Sequence, residues 1–361
     1  MISKNKNIYK MKNKYLVLFL FICMANHSCK KCELLEQTIT DPVIPCAGTF
    51  YINNGKDQGG SEFSFFFNEF SKPLPSPFIY SEIGGPHPVL TTIYDFEFNF
   101  SALDTLNNRY AFQYTNDVVS ATPVSLLHIH DFNTNTSSFV STTRFSAPVF
   151  LNGRLYGIRS NLRVNEVVQM DPISGQEFGK VATLNFTPIS PFDLYGISST
   201  TDGKDLLYFL SGTNLIEVKV SDKSYRHIDI DPTYDQNNNP VNYNGLEFKR
   251  DEGLLIAMKN TIDANNTSIT DLVICNPNST NPIATLRFDL HNHLSANQDK
   301  VINSDFHSTT FDQCDNTYYI IEFQNSNPTL ATTLIQINLN TNKVTNTDLS
   351  GLQYGIEFRI K

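Results

Sequence analysis

TLIQINLNTNK (333–343) reads as an alternating strand, an Asn-rich turn and the start of a return strand. Four earlier stretches share its design: SLLHIHDFNTNT (125–136), EVVQMDPISGQ (166–176), NLIEVKVSDKS (214–224) and DLVICNPNSTN (271–281). An apolar pair opens the five copies at positions 126, 167, 215, 272 and 334, so the spacing is 41, 48, 57 and 62 residues. A drifting period of that length, filled with strands and Asn/Asp/Gly turns, is the pattern of β-propeller blades.

Working back from each copy, a second strand follows a turn: 107–115, 152–160, 202–211, 251–259 and 315–323. A shorter first strand precedes each turn: YDFEFNF (94–100), APVFL (147–151), DLYGISS (193–199), YNGLEFK (243–249) and FHSTTF (306–311). Return strands at 138–145, 180–186, 226–230 and 283–290 complete four-stranded units. No long apolar period of 3.6 residues interrupts them, so little helix is expected. The chain ends on LQYGIEFRIK (352–361), which resembles the blade-opening YNGLEFKR (243–250). That last strand needs partners. GTFYINN (48–54), SEFSFFFNEF (61–70) and PFIYSEI (77–83) are available to supply them. Pairing both chain ends in one blade leaves the ring without an open edge. The expectation is therefore an all-β propeller of six blades, each of four antiparallel strands, with seven as the alternative if 46–93 forms more than part of a blade.

Composition agrees with many short strands. Phe (27) and Tyr (16) provide core, while only 17% of residues are charged. Asn, Asp, Ser and Thr favour turns because their short side chains bond to nearby backbone. The N-terminus reads differently. Lys4, Lys6, Lys10, Lys12 and Lys14 precede an apolar run from Tyr15 to Ala25, which is short for a membrane span and suited to a signal peptide. The run ends in ANHSCKKC (25–32), which resembles the signal sequences of bacterial lipoproteins, particularly those of Bacteroidetes. That resemblance implies lipidation of Cys29, although Asn26 stands where most such sites carry an apolar residue; ordinary secretion with cleavage near Ser28 is the alternative. The expected organisation is a signal peptide at 1–28, a lipidated tether at 29–45 and a propeller at 46–361.

Without residues 1–28 the chain carries 22 basic and 36 acidic residues, a formal charge of −14. This argues against nucleic acid and against an anionic membrane surface as partners. The expected membrane contact is the lipid anchor alone, at the cell envelope and in particular the outer membrane, with either face open. Cys32, Cys46, Cys275 and Cys314 remain as possible disulfide partners in an exported chain. Cys32 with Cys46 is favoured by nearness; Cys275 with Cys314 joins adjacent blades, or both stay as buried thiols.

Candidate chemistry is sparse. Glu97, Glu247 and Glu357 occupy the same place in three first strands, with Ser198 and Thr310 at equivalent places elsewhere. First strands lie innermost in a propeller, so these carboxylates are possible channel residues. They could bind Ca²⁺ or raise one another's pKa for acid–base work. The alternative reading is structural hydrogen bonding between blades. His128 and His130 share one face of a strand, and His291 with His293 forms a second pair. Solvent-facing or locally bonded imidazoles are the plainer reading for both, as for the lone His307. There is no nucleophile elbow, phosphate-binding loop or His-Glu-x-x-His motif. Trp is absent, which weakens readings built on Trp platforms. The FSFFF run (63–67) is read as blade packing. DPISGQ (171–176) and NPNSTN (276–281) resemble the Asp-Pro-x-Thr-Gly turns of repeat propellers. The whole is similar to exported propeller lipoproteins of YncE- and WD40-like repeat architecture, a resemblance of pattern with no specific functional family. The fold does not fix the function; the lack of any catalytic constellation points to a non-catalytic module that binds a small ligand or an envelope protein, without a cofactor. The alternative is a propeller enzyme of lyase, hydrolase or lactonase type with a metal or carboxylate site in the channel.

Overall fold

The computed structural model describes residues 47–361 except 60–61, 73–80, 83–99, 117–123, 144, 162–163, 185–196, 231–240, 263–267, 281, 293–307, 324–331, 350–351 and 361. Its strands form six four-stranded antiparallel sheets. Three strands open the chain: β1 (Gly48–Gly59), β2 (Glu62–Lys72) and β3 (Ser81–Glu82). Blade 1 is β4 (Phe100–Asp104), β5 (Arg109–Asn116), β6 (Val124–Asp131) and β7 (Thr136–Thr143). Blade 2 is β8 (Phe145–Leu151), β9 (Arg154–Asn161), β10 (Val164–Met170) and β11 (Glu177–Leu184). Blade 3 is β12 (Ser198–Thr201), β13 (Leu206–Ser211), β14 (Asn214–Lys219) and β15 (Ser224–Asp229). Blade 4 is β16 (Asn242–Lys249), β17 (Leu254–Ile262), β18 (Ser268–Cys275) and β19 (Thr285–Phe288). Blade 5 is β20 (Ser308–Asp312), β21 (Thr317–Phe323), β22 (Thr332–Asn338) and β23 (Lys343–Leu349). The last strand, β24 (Leu352–Ile360), pairs with β1 and so joins β1–β3 as the sixth, closing blade.

The six blades and the shared closing blade are as expected from the repeat. One strand is set differently. The innermost strand of blade 1 runs through β4 to Asp104, which pairs with Arg109 across a four-residue turn. It therefore continues past residue 100, the end expected from the sequence; residues 94–99 lie outside the described residues. The place in register with Thr310, two residues before the strand's last, is therefore Ala102. Glu97 lies outside the described residues.

Turn chemistry accounts for much of the Asn content. Asn108, Asn135, Asn316 and Asn342 end their turns with φ between 52° and 55°, a left-handed conformation that Asn tolerates better than most residues. Asp104, Asp131 and Asn338 open such turns. Each side-chain oxygen accepts two backbone N–H groups of its own turn, at 2.8–3.3 Å. Asn152–Gly153 joins β8 to β9 with φ of 51° and 74°, the twist-matched two-residue hairpin that Asn-Gly favours.

The core is a series of wedges between blades. Blades 2 and 3 bury Ile158, Val167, Ile197 and Phe209; blades 4 and 5 bury Met258, Leu272, Tyr318 and Ile335. Blade 5 meets the closing blade through Phe50, Ile52, Phe70, Tyr319 and Ile356. The wedge between the closing blade and blade 1 is aromatic. Phe67 packs on Tyr110 at 5.0 Å and on His128 at 3.8 Å between ring centroids, and Tyr51 packs on Phe132 at 4.4 Å. Phe67, in the FSFFF run, is thus a packing residue. The innermost strands β4, β8, β12, β16, β20 and β24 each touch the next, and β24 touches β4. That is a closed ring.

Candidate functional site

Glu247 and Glu357 sit on innermost strands β16 and β24, in two copies of one construction. Each follows a glycine by two residues and alternates with buried neighbours: Leu246 and Phe248, Ile356 and Phe358. Each carboxylate accepts a hydroxyl from the next blade's innermost strand, Thr309 Oγ1 to Glu247 Oε1 and Ser101 Oγ to Glu357 Oε1, both at 3.0 Å. Each preceding glycine carbonyl accepts a tyrosine hydroxyl of that next blade, Tyr318 on Gly245 and Tyr110 on Gly355.

These glycines have a steric reason. A Cβ on Gly245 would lie 2.5 Å from the Tyr318 hydroxyl, and one on Gly355 would lie 2.8 Å from Ser101 Cβ. Gly245 also has φ +62° at a bulge where β16 shifts register against β17. Strand β8 has the same bulge, with Ala147 at φ 53° and Val149 in the place of Glu247. There Ser199 of blade 3 donates to the Pro148 carbonyl at 3.1 Å. Ser101 likewise donates to the Ile356 carbonyl at 3.3 Å. A joint between innermost strands therefore forms with or without a carboxylate.

The carboxyl groups are enclosed, although each residue keeps part of its surface. Enclosure disfavours the charged form. Burial, opposed by the Ser101 hydrogen bond, pushes Glu357 up to about 8. Burial, then the charge of Glu357, raises Glu247 well above the usual carboxylate range. The charge of Glu357 acts on Glu247 although blade 5 lies between their strands.

The other sequence candidates fall elsewhere. Thr310 is a joint residue whose hydroxyl accepts the Phe358 N–H at 3.1 Å, as Ser308 accepts the Ile356 N–H at 2.8 Å. Ser198 is half-buried on β12. His128 and His130 share one face, as strand alternation requires, and that face is the aromatic wedge. They are 0% and 1% exposed, so the solvent-facing reading fails. His128 stacks on Phe139 at 4.4 Å, while His130 Nδ1 is 2.9 Å from the Ser137 hydroxyl. Burial holds His130 below the usual imidazole range. His291 lies on a helical turn near Asp271, whose carboxyl burial and Asp289 push up to about 6. No group of three or more His, Cys, Asp or Glu among the described residues has metal-binding geometry. His293, His307, Cys29, Cys32 and Cys46 lie outside those residues.

The proposed link between Cys275 and Cys314 does not form. Cys275 is a free, buried thiol that donates to the Pro282 carbonyl at 2.9 Å, and burial pushes its pKa up to about 11. Cys314 is in a disulfide. Sequence reasoning also missed Ser101, Thr309, Tyr110 and Tyr318. The signal available was the recurrence of Gly-(Leu/Ile)-Glu-Phe, which marks a demanding backbone site, but nothing local names its partners.

No family model and no curated protein matches this sequence. Similar solved structures include the major allergen Mala s 1 of Malassezia sympodialis, at 11% identity over 71% of this chain and 81% of that one, with a TM-score of 0.41. The β-propeller domain of the Trilobed protease of Pyrococcus furiosus is 8% identical over 84% of this chain and 95% of that one, with a TM-score of 0.38. An α-L-arabinofuranosidase (CtGH43) of Clostridium thermocellum is 11% identical over 68% of this chain and 92% of that one, with a TM-score of 0.39. Likeness at these scores carries no argument about activity; the blade count rests on the strand pairing above.

Proposed function

We propose that this protein is an exported propeller, held to the outer membrane by lipid on Cys29, that binds a cationic group between Glu247 and Glu357 without transforming it. The observation that carries the reading is the carboxyl pair itself. The joint between blades 2 and 3 does without a carboxylate, so these two add a burial cost that joint formation does not require. Two enclosed carboxyls, one of them raised by the charge of the other, favour a positive partner, which offsets their repulsion and lets them ionise. A Ca²⁺ ion or a primary ammonium on a small molecule or an envelope protein has that chemistry.

Binding of such a ligand at neutral pH releases protons. Calorimetric titration with CaCl₂ and separately with putrescine, at pH 7 in two buffers of different ionisation enthalpy, reads that release. Buffer-dependent heat from one probe, lost in Glu247→Gln, is the expected result; no heat from either probe sinks the cation reading. Lipid attachment is checked separately by metabolic labelling with an alkyne fatty acid, which Cys29→Ala should abolish.

One observation favours a second reading. A carboxyl at about 8 whose charge raises a second enclosed carboxyl has the electrostatics of a general acid–base pair. In that case the protein is a lyase, hydrolase or lactonase, and lactone turnover would vanish in Glu357→Gln.

A further inference from the structure

We infer that the disulfide partner of Cys314 is Cys46, and that this bond staples the seam at which the ring is closed. Cys314 lies in the turn between β20 and β21 of blade 5 and is disulfide-bonded, whereas Cys275 is free. The partner is therefore one of Cys23, Cys29, Cys32 and Cys46, the other cysteines of the chain. The seam itself selects among them. Gly48 opens β1 and stands opposite both Lys72 and Ile360 in the closing blade.

The Lys72 ammonium bonds the carboxylates of both Asp312 and Asp315, which bracket Cys314, and lies 5.4 Å from the centre of the Phe358 ring. The same ring fills the space where a Cβ on Gly48 would sit. Gly48, Lys72, Phe358 and the Cys314 turn thus meet at one end of one seam. Cys46 precedes Gly48 by two residues, a reach of about 7 Å of extended chain. Cysteines further upstream have no such constraint.

The bond joins the start of β1 to blade 5 and encloses nearly the whole propeller. Among the described residues the closing blade is held to blade 5 by side-chain packing, by the Ser308 and Thr310 hydrogen bonds to β24 and by the Lys72 ion pairs, not by strand pairing. A covalent tie at that point restrains the N-terminal strands from peeling off β24. Its formation removes two thiol hydrogens; two electrons and two protons pass to a disulfide-carrying oxidant, which leaves as a dithiol.

The test is peptide mapping of the intact, unreduced protein by mass spectrometry, which needs no variant to fold. A linked peptide containing Cys46 and Cys314 is expected. Cys314 linked to another cysteine, or recovered as a thiol, overturns the assignment. Thermal unfolding then reads the staple's role. Cys46→Ser and Cys314→Ser should each lower Tm by on the order of 5–10 °C, and the double variant by no more than either. Additive losses, or none, would overturn it. This inference is independent of the carboxyl site, since cation binding is measured on other residues.

Discussion

Glu247 and Glu357 show how a residue type that propellers place freely on their surfaces becomes costly when enclosed on an innermost strand. An unfolded glutamate ionises near its ordinary pKa, while Glu357 in the ring holds its proton to about 8. The folded state therefore binds the extra proton between those limits. The stability linked to Glu357 is complete below the unfolded value of about 4.5 and is lost as pH rises through about 8. Glu247 acts in the same direction. His130 acts oppositely. Its imidazole is held neutral by burial, so its share is complete above about pH 6.5 and is lost as pH falls below that. Thermal unfolding from pH 5 to 9 should show Tm falling at both ends. Glu357→Gln should flatten the alkaline limb and leave the acidic one; an unchanged alkaline limb would show that Glu357 ionises normally in the fold.

At the scale of the strand, the bulges in β8 and β16 fix how one innermost strand addresses the next. The extra residue at Gly245 turns its carbonyl to Tyr318 and leaves Glu247 beside Thr309. A side chain at Gly245 meets both the positive φ and the tyrosine hydroxyl. Gly245→Ala should therefore cost about 1–3 kcal/mol in urea unfolding. Ala147 already occupies the corresponding bulge in β8 at φ 53°, so Ala147→Gly should be neutral or mildly stabilising. The contrast between the two substitutions separates backbone strain from contact with the neighbouring blade.

At the scale of the molecule, stability depends on closing the ring. Strand β24 is the innermost member of a blade whose other strands lie at the opposite end of the chain. Its removal strips β1 of one pairing partner and uncovers Phe50, Tyr319 and Ser101. A chain ending at Leu349 should lose the single cooperative thermal transition and expose apolar surface to a hydrophobic dye. A cooperative transition with native Tm in that truncation would show that five blades stand without the sixth.

What the sequence determined by itself is local. Period-two alternation, Asn and Asp at turn positions and the repeated strand unit are written in neighbouring residues, so strands, blade count and end-to-end closure are legible. So was the shared face of His128 and His130, because alternation along one strand decides it. The tertiary structure decided whatever depends on what lies across a wedge. It buried that histidine pair against Phe67 and Phe139, left Cys275 free while engaging Cys314, and supplied Thr309 and Ser101 to the two glutamates. It also carried the opening strand of blade 1 on to Asp104, where pairing with Arg109 closes the turn. These are contacts between residues as much as 256 positions apart. No local pattern encodes them, and only closure of the ring brings the partners together.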